Sequence, residues 1–394
     1  MIKKINGSDI YVFLWMIYML QDILYSSGII NRIIQLIMMV WLVVVTAKCL
    51  TNRNNSPILR STIFLVLMYC VYGVWDIIFG SAAITSSGTA ISNYIYLQNS
   101  LNSLLPIFLF YYYTKKGKID SNRMRIYVLV ILATCISCYY RYESYAMSKW
   151  GNSENVNNMS YMFISVIPLL FVYNKRIVLQ FLFLCLIMFY TFIGMKRGAI
   201  AIGFVAMMIM MYSIVKGSRP QKRVVIILGI VLFIIYMFIL VTTLVNNSDL
   251  FVSRIEQTIS GDSSDRDTLY GKFWNIIAEE TNPIYFIFGH GANSTVRIEG
   301  AYAHQDWLET LVNNGLLGTI LLFNFYFTLC ITALKQRKRF PVIMYYSFLS
   351  ITFILLSKTM FSMSIQGMYM YEGLLIGYFA YHSSRHNDLL IKNV

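Results

Sequence analysis

The sequence predicts an all-α polytopic integral membrane protein with about twelve transmembrane helices and one large extracytoplasmic loop that contains short helices. Three observations predict this fold. Of the 394 residues, 57% are hydrophobic and only 13% are charged, whereas soluble domains carry roughly 25% charged residues. Apolar runs long enough to cross a bilayer, at about 20 residues each, recur along the chain. These runs are apolar on both faces, which is typical of spanning helices and not of β-barrel strands.

The apolar runs give the order of the predicted transmembrane helices. Polar or charged connections separate them, and Gly or Pro marks several of their ends. The predicted spans are 10–27, 29–48, 61–79, 95–113, 125–140, 158–174, 177–194, 198–215, 224–245, 315–334, 341–357 and 367–382.

Lys and Arg residues are distributed unequally between the two ends of these spans. With a cytoplasmic N-terminus, about 22 of the 32 basic residues lie on the cytoplasmic side, as the positive-inside rule requires. The net charge of +14 therefore indicates orientation in a membrane and not nucleic-acid binding. An even number of spans places both termini in the cytoplasm. Residues 1–245 then hold transmembrane helices 1–9, 246–314 form an extracytoplasmic catalytic loop, and 315–394 hold helices 10–12 and a cytoplasmic tail.

The outer loop at 246–314 is too long to be a simple connection. Apolar residues at i, i+3, i+4 and i+7 predict an amphipathic helix over 265–280, with Trp274 on its apolar face. A second helix is predicted to open near Ala303 and to carry His304 on one of its faces. We expect the loop to be folded and to hold functional residues.

Basic residues on the outer side break the positive-inside pattern. Lys196 and Arg197 stand together at the outer mouth between the seventh and eighth spans, and Arg254, Arg266 and Arg297 follow in the outer loop. An arginine fork fits two phosphate oxygens and a lysine adds a point charge, so the pair predicts an anion site. The alternative is a tight turn whose side chains reach the lipid headgroups.

His290 and His304 are the histidines of the outer loop, and histidine exchanges protons near neutral pH. A glycosyl transfer from a lipid diphosphate needs cations on the departing diphosphate and a base near the attacking hydroxyl, and both kinds of group occur here. Asp306 and Glu309 are close enough in sequence to orient His304 or to bind an acceptor sugar. A solvated helix face explains these two acids equally well.

The sequence predicts neither a metal nor a nucleotide cofactor. It contains no Walker loop, no Rossmann glycine fingerprint and no Cys/His ligand pattern. The spacing of Asp262, Asp265 and Asp267 differs from that of a calcium loop, so Asp265 or Asp267 is interpreted as a helix N-cap. A cytoplasmic transferase that uses nucleotide sugars is therefore improbable.

Several motifs follow one another in order between residues 190 and 320. They are Arg197 at the start of a span, Arg266 in the long outer loop, the turn Gly289-His290-Gly291, the run 303–309, and Gly315-Leu316-Leu317-Gly318. In this order they resemble the O-antigen polymerase and O-antigen ligase superfamily, which includes the Wzy-type polysaccharide polymerases. The resemblance implies a GT-C-like helical fold and a metal-independent membrane glycosyltransferase with a lipid-diphosphate-linked donor.

The resemblance also implies roles for individual residues. Arg197 and Arg266 match the arginines that hold the lipid diphosphate in this superfamily. His304 matches the histidine of its H-x-x-x-L signature, a candidate general base, although Gln305 stands where members commonly have Asn. Further residues are expected to bind substrate: Lys196, Arg254, His290, Arg297, Asp306 and Glu309.

The implied function is the polymerisation of undecaprenyl-diphosphate-linked repeat units into O-antigen, capsular or exopolysaccharide. It would take place on the outer side of the bacterial cytoplasmic (inner) membrane. Two alternatives are an O-antigen ligase that transfers glycan to the lipid A core and a polysaccharide flippase or transporter. The sequence shows no half-to-half repeat of the kind that many carriers have. The expected partners are the lipid-linked glycan, the bilayer, a chain-length regulator and a flippase, without nucleic acid.

Overall fold

The protein is described here by a computed structural model. It describes residues 5–21, 28–51, 56–150, 156–261, 266–362, 365 and 367–384. Within these ranges the chain is almost entirely helical, apart from one antiparallel hairpin of two-residue strands. The structure confirms an all-α polytopic membrane fold.

The first part of the chain contains helices that match the predicted spans one to nine in order. Its elements are α1 (Gly7–Met19), α2 (Gly28–Leu50), α3 (Pro57–Phe79), β1 (Ala83–Ile84), β2 (Ala90–Ile91), α4 (Tyr94–Lys115), α5 (Ser121–Trp150), α6 (Ser160–Ile164), a 3-10 helix (Ile167–Tyr173), α7 (Ile177–Ile193), α8 (Arg197–Gly217), a 3-10 turn (Pro220–Lys222) and α9 (Arg223–Asn247).

The outer loop contains four short helices, and three further long elements complete the chain. The elements are α10 (Asp249–Ile259), α11 (Arg266–Ala278), α12 (Pro283–Phe288), α13 (Ser294–Glu299), α14 (Asp306–Lys335), a 3-10 turn (Gln336–Lys338), α15 (Val342–Phe361) and α16 (Met370–Ser384).

Seven helices of the described chain are long and apolar enough to cross a membrane, namely α2, α3, α5, α8, α9, α14 and α15. The other five predicted spans also coincide with helices, but these are shorter or more polar. For example, α1 has 13 residues and α16 has 15. The polytopic architecture is confirmed, whereas the number of twelve spans stays a prediction.

The core lies where α16 packs against α4. Every residue of α16 from Met370 to Ala380 is buried. Gly373 and Gly377 face α4, and a Cβ atom at Gly377 would lie 2.5 Å from the carbonyl oxygen of Ile107. Glycines one turn apart thus allow the two backbones to approach closely, a common device for packing helices inside a membrane.

Buried ion pairs connect separate helices of the bundle. The Lys358 ammonium lies 2.9 Å from the Glu372 carboxylate, and both side chains are at most 2% exposed. Asp76, at the outer end of α3, pairs with Arg297 of the loop. Asp76, Lys358 and Glu372, which the sequence places in or beside the spans, therefore hold helices together. Asp22, a further such charge, lies outside the described residues.

α12 leaves a continuous apolar surface at the end of the bundle that carries the outer loop. Its five residues after Pro283 are all exposed, from Ile284 at 62% to Ile287 at 42%. Phe79, at the end of α3, is exposed as well. Such a surface is typical of a segment that rests in the headgroup region of a bilayer.

α14 is broken at Gly315, whose φ of 65° and ψ of −164° are not helical. Gly289 has a similar conformation, with φ 75° and ψ −178°. The two N–H groups after Gly289 donate to the carbonyl oxygens of Val312 and Asn313, each at 2.9 Å. The turn Gly289-His290-Gly291 therefore uses its backbone to support the break in α14.

Replacing Gly315 with Ala should destabilise the protein. Both the φ and the ψ of Gly315 lie in a region that is essentially restricted to glycine, and a Cβ atom would contact the backbone of Gly289 and Ile287. We expect a loss of about 1–3 kcal/mol, measured as thermal unfolding of the detergent-solubilised protein. The control is Gly271→Ala in α11, where a Cβ meets open space. Equal unfolding temperatures for the two variants would contradict this interpretation.

Candidate functional site

A cavity of about 610 Å³ opens where α8 begins and α15 ends. Four basic side chains line it, although they come from three separate segments of the chain. They are Lys196, Arg197, Arg254 and Arg266. Asp267 is the acidic residue among the lining residues. The cavity is therefore strongly positive, and a positive cleft attracts anionic ligands.

The start of α8 adds to this positive potential. Lys196 occupies the N-cap position and Arg197 is the first residue of the helix. The N–H groups of a helix N-terminus carry partial positive charge and favour anions. Met195, directly before them, has a φ of 51°, a left-handed conformation that is uncommon outside glycine. The strained turn presents both cations to one cavity.

The pKa of Lys196 reflects its burial and the positive charges around it. Burial, followed by the charges of Arg266, Arg254 and Arg197, lowers the pKa of Lys196 to about 8, from an ordinary value of 10.5. An ammonium in this position is unfavourable unless an anion compensates it. A bound phosphate group would supply that compensation.

Arg266 is the first residue of α11, and its guanidinium donates a hydrogen bond to the carbonyl oxygen of Phe361, 3.1 Å away. α11 is fixed by Phe273, which is fully buried in a small cluster together with residues of α14. Trp274, predicted to lie on the same apolar face, is 60% exposed. The helix turns Phe273 into the cluster and Trp274 away from it, so the predicted apolar face packs on the bundle only in part.

His304 lies just before α14 and not on it. The helix begins at Asp306, whereas the sequence predicted a start near Ala303. His304 has a φ of 54°, a left-handed conformation that costs energy and is found most often at functional sites. Burial, and then the charges of Arg266 and Lys196, lower the pKa of its imidazole. The ring is therefore neutral at pH 7 and able to accept a proton.

Glu309 fixes the backbone next to His304. Its carboxyl group is buried and accepts three hydrogen bonds. The donors are the Ala303 N–H at 2.7 Å, the Thr295 hydroxyl at 2.6 Å and the Asn313 amide at 2.8 Å. Glu309 is thus a positioning residue that touches the backbone one residue before the histidine.

Asp306 and Trp307 fasten the start of α14 to the end of α15. Asp306 accepts the N–H of Ile365 at 3.1 Å, and the Trp307 indole donates to the Thr359 hydroxyl at 2.8 Å. Asp306 and Glu309 are each only 4% exposed. The alternative that these acids form a solvated helix face is therefore wrong.

Four residues predicted to bind substrate do not line the cavity. Asp306 and Glu309 make the contacts described above. Arg297 is paired with Asp76, as described above. His290 has its Nε2 atom 3.2 Å from the Glu280 carboxylate and stacks on the ring of Tyr285, with centroids 5.0 Å apart. The structure does not bring these side chains to the four cations. Of the predicted aspartates, Asp267 lies at the cavity, while Asp262 and Asp265 fall outside the described residues.

The structure adds a residue that the sequence did not single out. Tyr161 lines the cavity, and its buried hydroxyl has no hydrogen-bond partner in the described part of the chain. It sits inside an apolar run, so nothing in the local pattern distinguishes it from a core tyrosine. A buried hydroxyl without a partner is costly, which makes Tyr161 a candidate ligand contact.

Glu309→Gln should destabilise the loop around His304. Ala303 donates to one carboxyl oxygen and Asn313 to the other, so either orientation of a glutamine amide would set its NH2 group against a donor. We expect a cost of about 1–3 kcal/mol in unfolding free energy, measured by thermal unfolding. Glu299→Gln is the control, because Glu299 pairs only with the exposed Lys272. An unchanged Glu309→Gln protein would refute the positioning role.

Comparison with known protein families agrees with this geometry. Residues 181–323 match the family model described as O-antigen ligase (Wzy_C), which covers about a third of the chain. The matched segment contains all four cavity cations and His304. No curated protein matches the sequence. This match supports the O-antigen polymerase and ligase superfamily and indicates a membrane enzyme of the polymerase or ligase type.

Proposed function

We propose that the protein polymerises undecaprenyl-diphosphate-linked repeat units into O-antigen, capsular or exopolysaccharide on the outer side of a bacterial cytoplasmic membrane. The observation that carries this proposal is that four cations line one cavity, namely Lys196, Arg197, Arg254 and Arg266. The charges of Arg266 and Lys196 also lower the pKa of His304, so the histidine lies near them. In the orientation given by the basic residues, both termini are cytoplasmic. The lipid-linked glycan then reaches the cavity from the outer leaflet.

The cations would act on the leaving group. In the transfer, an acceptor hydroxyl oxygen forms a bond to the anomeric carbon while the bond from that carbon to the diphosphate oxygen breaks. The electron pair leaves with undecaprenyl diphosphate, so negative charge grows there. Arg197 and Arg266 offer planar forks for phosphate oxygens, and Lys196 adds a point charge. Preorganised cations of this kind stabilise the transition state because they need no rearrangement.

His304 would receive the proton of the attacking hydroxyl. The lowered pKa of its imidazole keeps the ring neutral, so a lone pair is available to accept that proton. After transfer, the nearby cations disfavour the charged imidazolium, which promotes loss of the proton to water. The same positive charges would thus stabilise the leaving group and return His304 to its neutral form.

Ligation is the second candidate function, since the matching family is described by that activity. A ligase would pass the glycan to a lipid A core. The decisive experiment supplies the purified protein in nanodiscs with a lipid-linked repeat unit, with and without lipid A core. A ladder of longer lipid-linked products supports polymerisation, and transfer to the core alone supports ligation. If no glycosyl transfer occurs in either mixture, the proposed function fails.

Substitutions in the cavity should abolish transfer without unfolding the protein. Arg197→Gln, Arg266→Gln and His304→Asn are each expected to lower the rate at least about 100-fold. Asparagine is chosen at position 304 because it tolerates the left-handed conformation. The control is Lys272→Gln, on the same helix as Arg266 but exposed and paired with Glu299. Product ladders and membrane abundance are the readouts, and full activity in all three variants would refute the mechanism.

Donor affinity should decrease above about pH 8. Below the pKa of Lys196 the ammonium is charged and attracts the diphosphate; above it the free protein loses this charge, and binding must take up a proton. The dissociation constant should then rise by up to about tenfold per pH unit. Lys196→Arg keeps its charge, so its affinity should stay level to pH 9.5. Isothermal titration of a lipid-diphosphate-linked disaccharide tests this, and parallel curves for the two proteins would contradict it.

A further inference from the structure

A second cavity, the neutral cleft, lies at the same end of the bundle as the four cations. It is formed by α1, α2, α4 and the start of α16, and has a volume of about 210 Å³. Phe361, the last residue of α15, lines the first cavity, and Tyr369, just before α16, lines the neutral cleft. The described residues that line the neutral cleft include no charged side chain.

Aromatic rings form one side of the neutral cleft. Trp15 and Tyr369 both line it and both pack on Tyr371, with ring centroids 5.9 Å and 5.5 Å away. The Tyr369 and Tyr371 planes are only 8° from parallel. Tyr371 holds both rings in place, and the Lys358 ammonium lies over the Tyr369 ring, 4.7 Å from its centroid. Trp15 therefore offers the aromatic surface that suits the apolar C–H side of a sugar ring.

Amide side chains form the other side. Asn99 and Asn102 are one helical turn apart on α4, so they share a face. They are partly buried, and neither amide makes a hydrogen bond to another residue in the described ranges of the chain. Gln35 also lines the cleft and donates to the Tyr18 hydroxyl at 2.7 Å. Each amide offers both donors and an acceptor, which matches the hydroxyl groups of a sugar.

The chemistry of the cleft argues against two other occupants. An acyl chain would cover Asn99 and Asn102 without pairing their amides, which is costly. A phosphate group would find no cation among the described residues that line the cleft, and the nearby Lys358 ammonium, over the Tyr369 ring, is already paired with Glu372. The first cavity has the opposite character, with four cations around one space. The two cavities therefore differ in the chemistry of the ligand that each one fits.

We propose that the neutral cleft binds uncharged sugar residues of the acceptor glycan while the cationic cavity holds the donor diphosphate. This inference rests on the proposed function. Between Phe361 and Tyr369 in the chain, the Ile365 N–H donates a hydrogen bond to Asp306, two residues after His304. This hydrogen bond connects the start of α14, next to the candidate base, to the chain that leads into the neutral cleft. Asn99 and Asn102 then contribute to selection of the acceptor sugar.

The test uses the repeat-unit oligosaccharide released from the lipid-linked donor by mild acid, which carries no phosphate. Its binding to the nanodisc-embedded protein is measured by saturation-transfer NMR. The variant Asn99→Leu/Asn102→Leu should weaken this binding at least tenfold and raise the KM for acceptor with little change in affinity for the lipid-diphosphate donor. Asn324→Leu is the matched control, because Asn324 is an exposed asparagine of another spanning helix, α14.

A second variant keeps the test valid if the double variant fails to fold. Trp15→Phe retains a ring and the apolar packing, yet removes part of the flat face, and should weaken oligosaccharide binding several-fold. The inference is overturned if the wild-type protein does not bind the oligosaccharide or if neither variant alters its binding. It is also overturned if lipids with brominated acyl chains quench the fluorescence that Trp15→Phe removes, since lipid then fills the cleft.

The outcome is separate from that of the proposed function. If wild-type protein builds a product ladder but does not bind the free oligosaccharide, only the neutral cleft is assigned wrongly. If no glycosyl transfer occurs in the nanodisc assay, the proposed function itself fails, whatever the oligosaccharide measurement shows.

Discussion

The concentration of half-buried positive charge is the constraint on which the site depends. Lys196, Arg197, Arg254 and Arg266 repel one another, and burial together with this repulsion lowers the pKa of Lys196. The surrounding fold holds them together, for example through the hydrogen bond from Arg266 to the Phe361 carbonyl oxygen. A ligand with two neighbouring phosphates would turn this repulsion into attraction.

Hydrogen bonds and an ion pair away from the cavity hold the surrounding fold in place. Glu309 binds the backbone beside His304, the Gly289 turn supports the break at Gly315, and Arg297 is occupied by Asp76. These contacts connect the outer loop to α3 and α14. Polar residues that look catalytic in the sequence thus fall into two sets. One set lines the cavity, and the other holds the surrounding backbone in place.

The sequence predicted most of the fold and the cationic part of the site. Apolar runs mark helices because a bilayer leaves few other solutions, and Arg197 stands out because it breaks the positive-inside pattern. Partners are harder to predict. Arg297 and Asp76 are 221 residues apart, so only the folded chain shows that they meet. Tyr161 and Asn99 lie inside spans, where local pattern does not separate a ligand contact from a buried polar residue.

The exposed apolar residues of α12, together with Phe79, have a consequence for how substrate arrives. If this surface rests among the headgroups, the outer loop is held against the membrane and the cationic cavity stays at the depth of a lipid's phosphates. A lipid-linked substrate then needs no departure from the bilayer to reach it. Encounter becomes a search in two dimensions, in which the lipid tail guides the diphosphate and the water-soluble glycan follows.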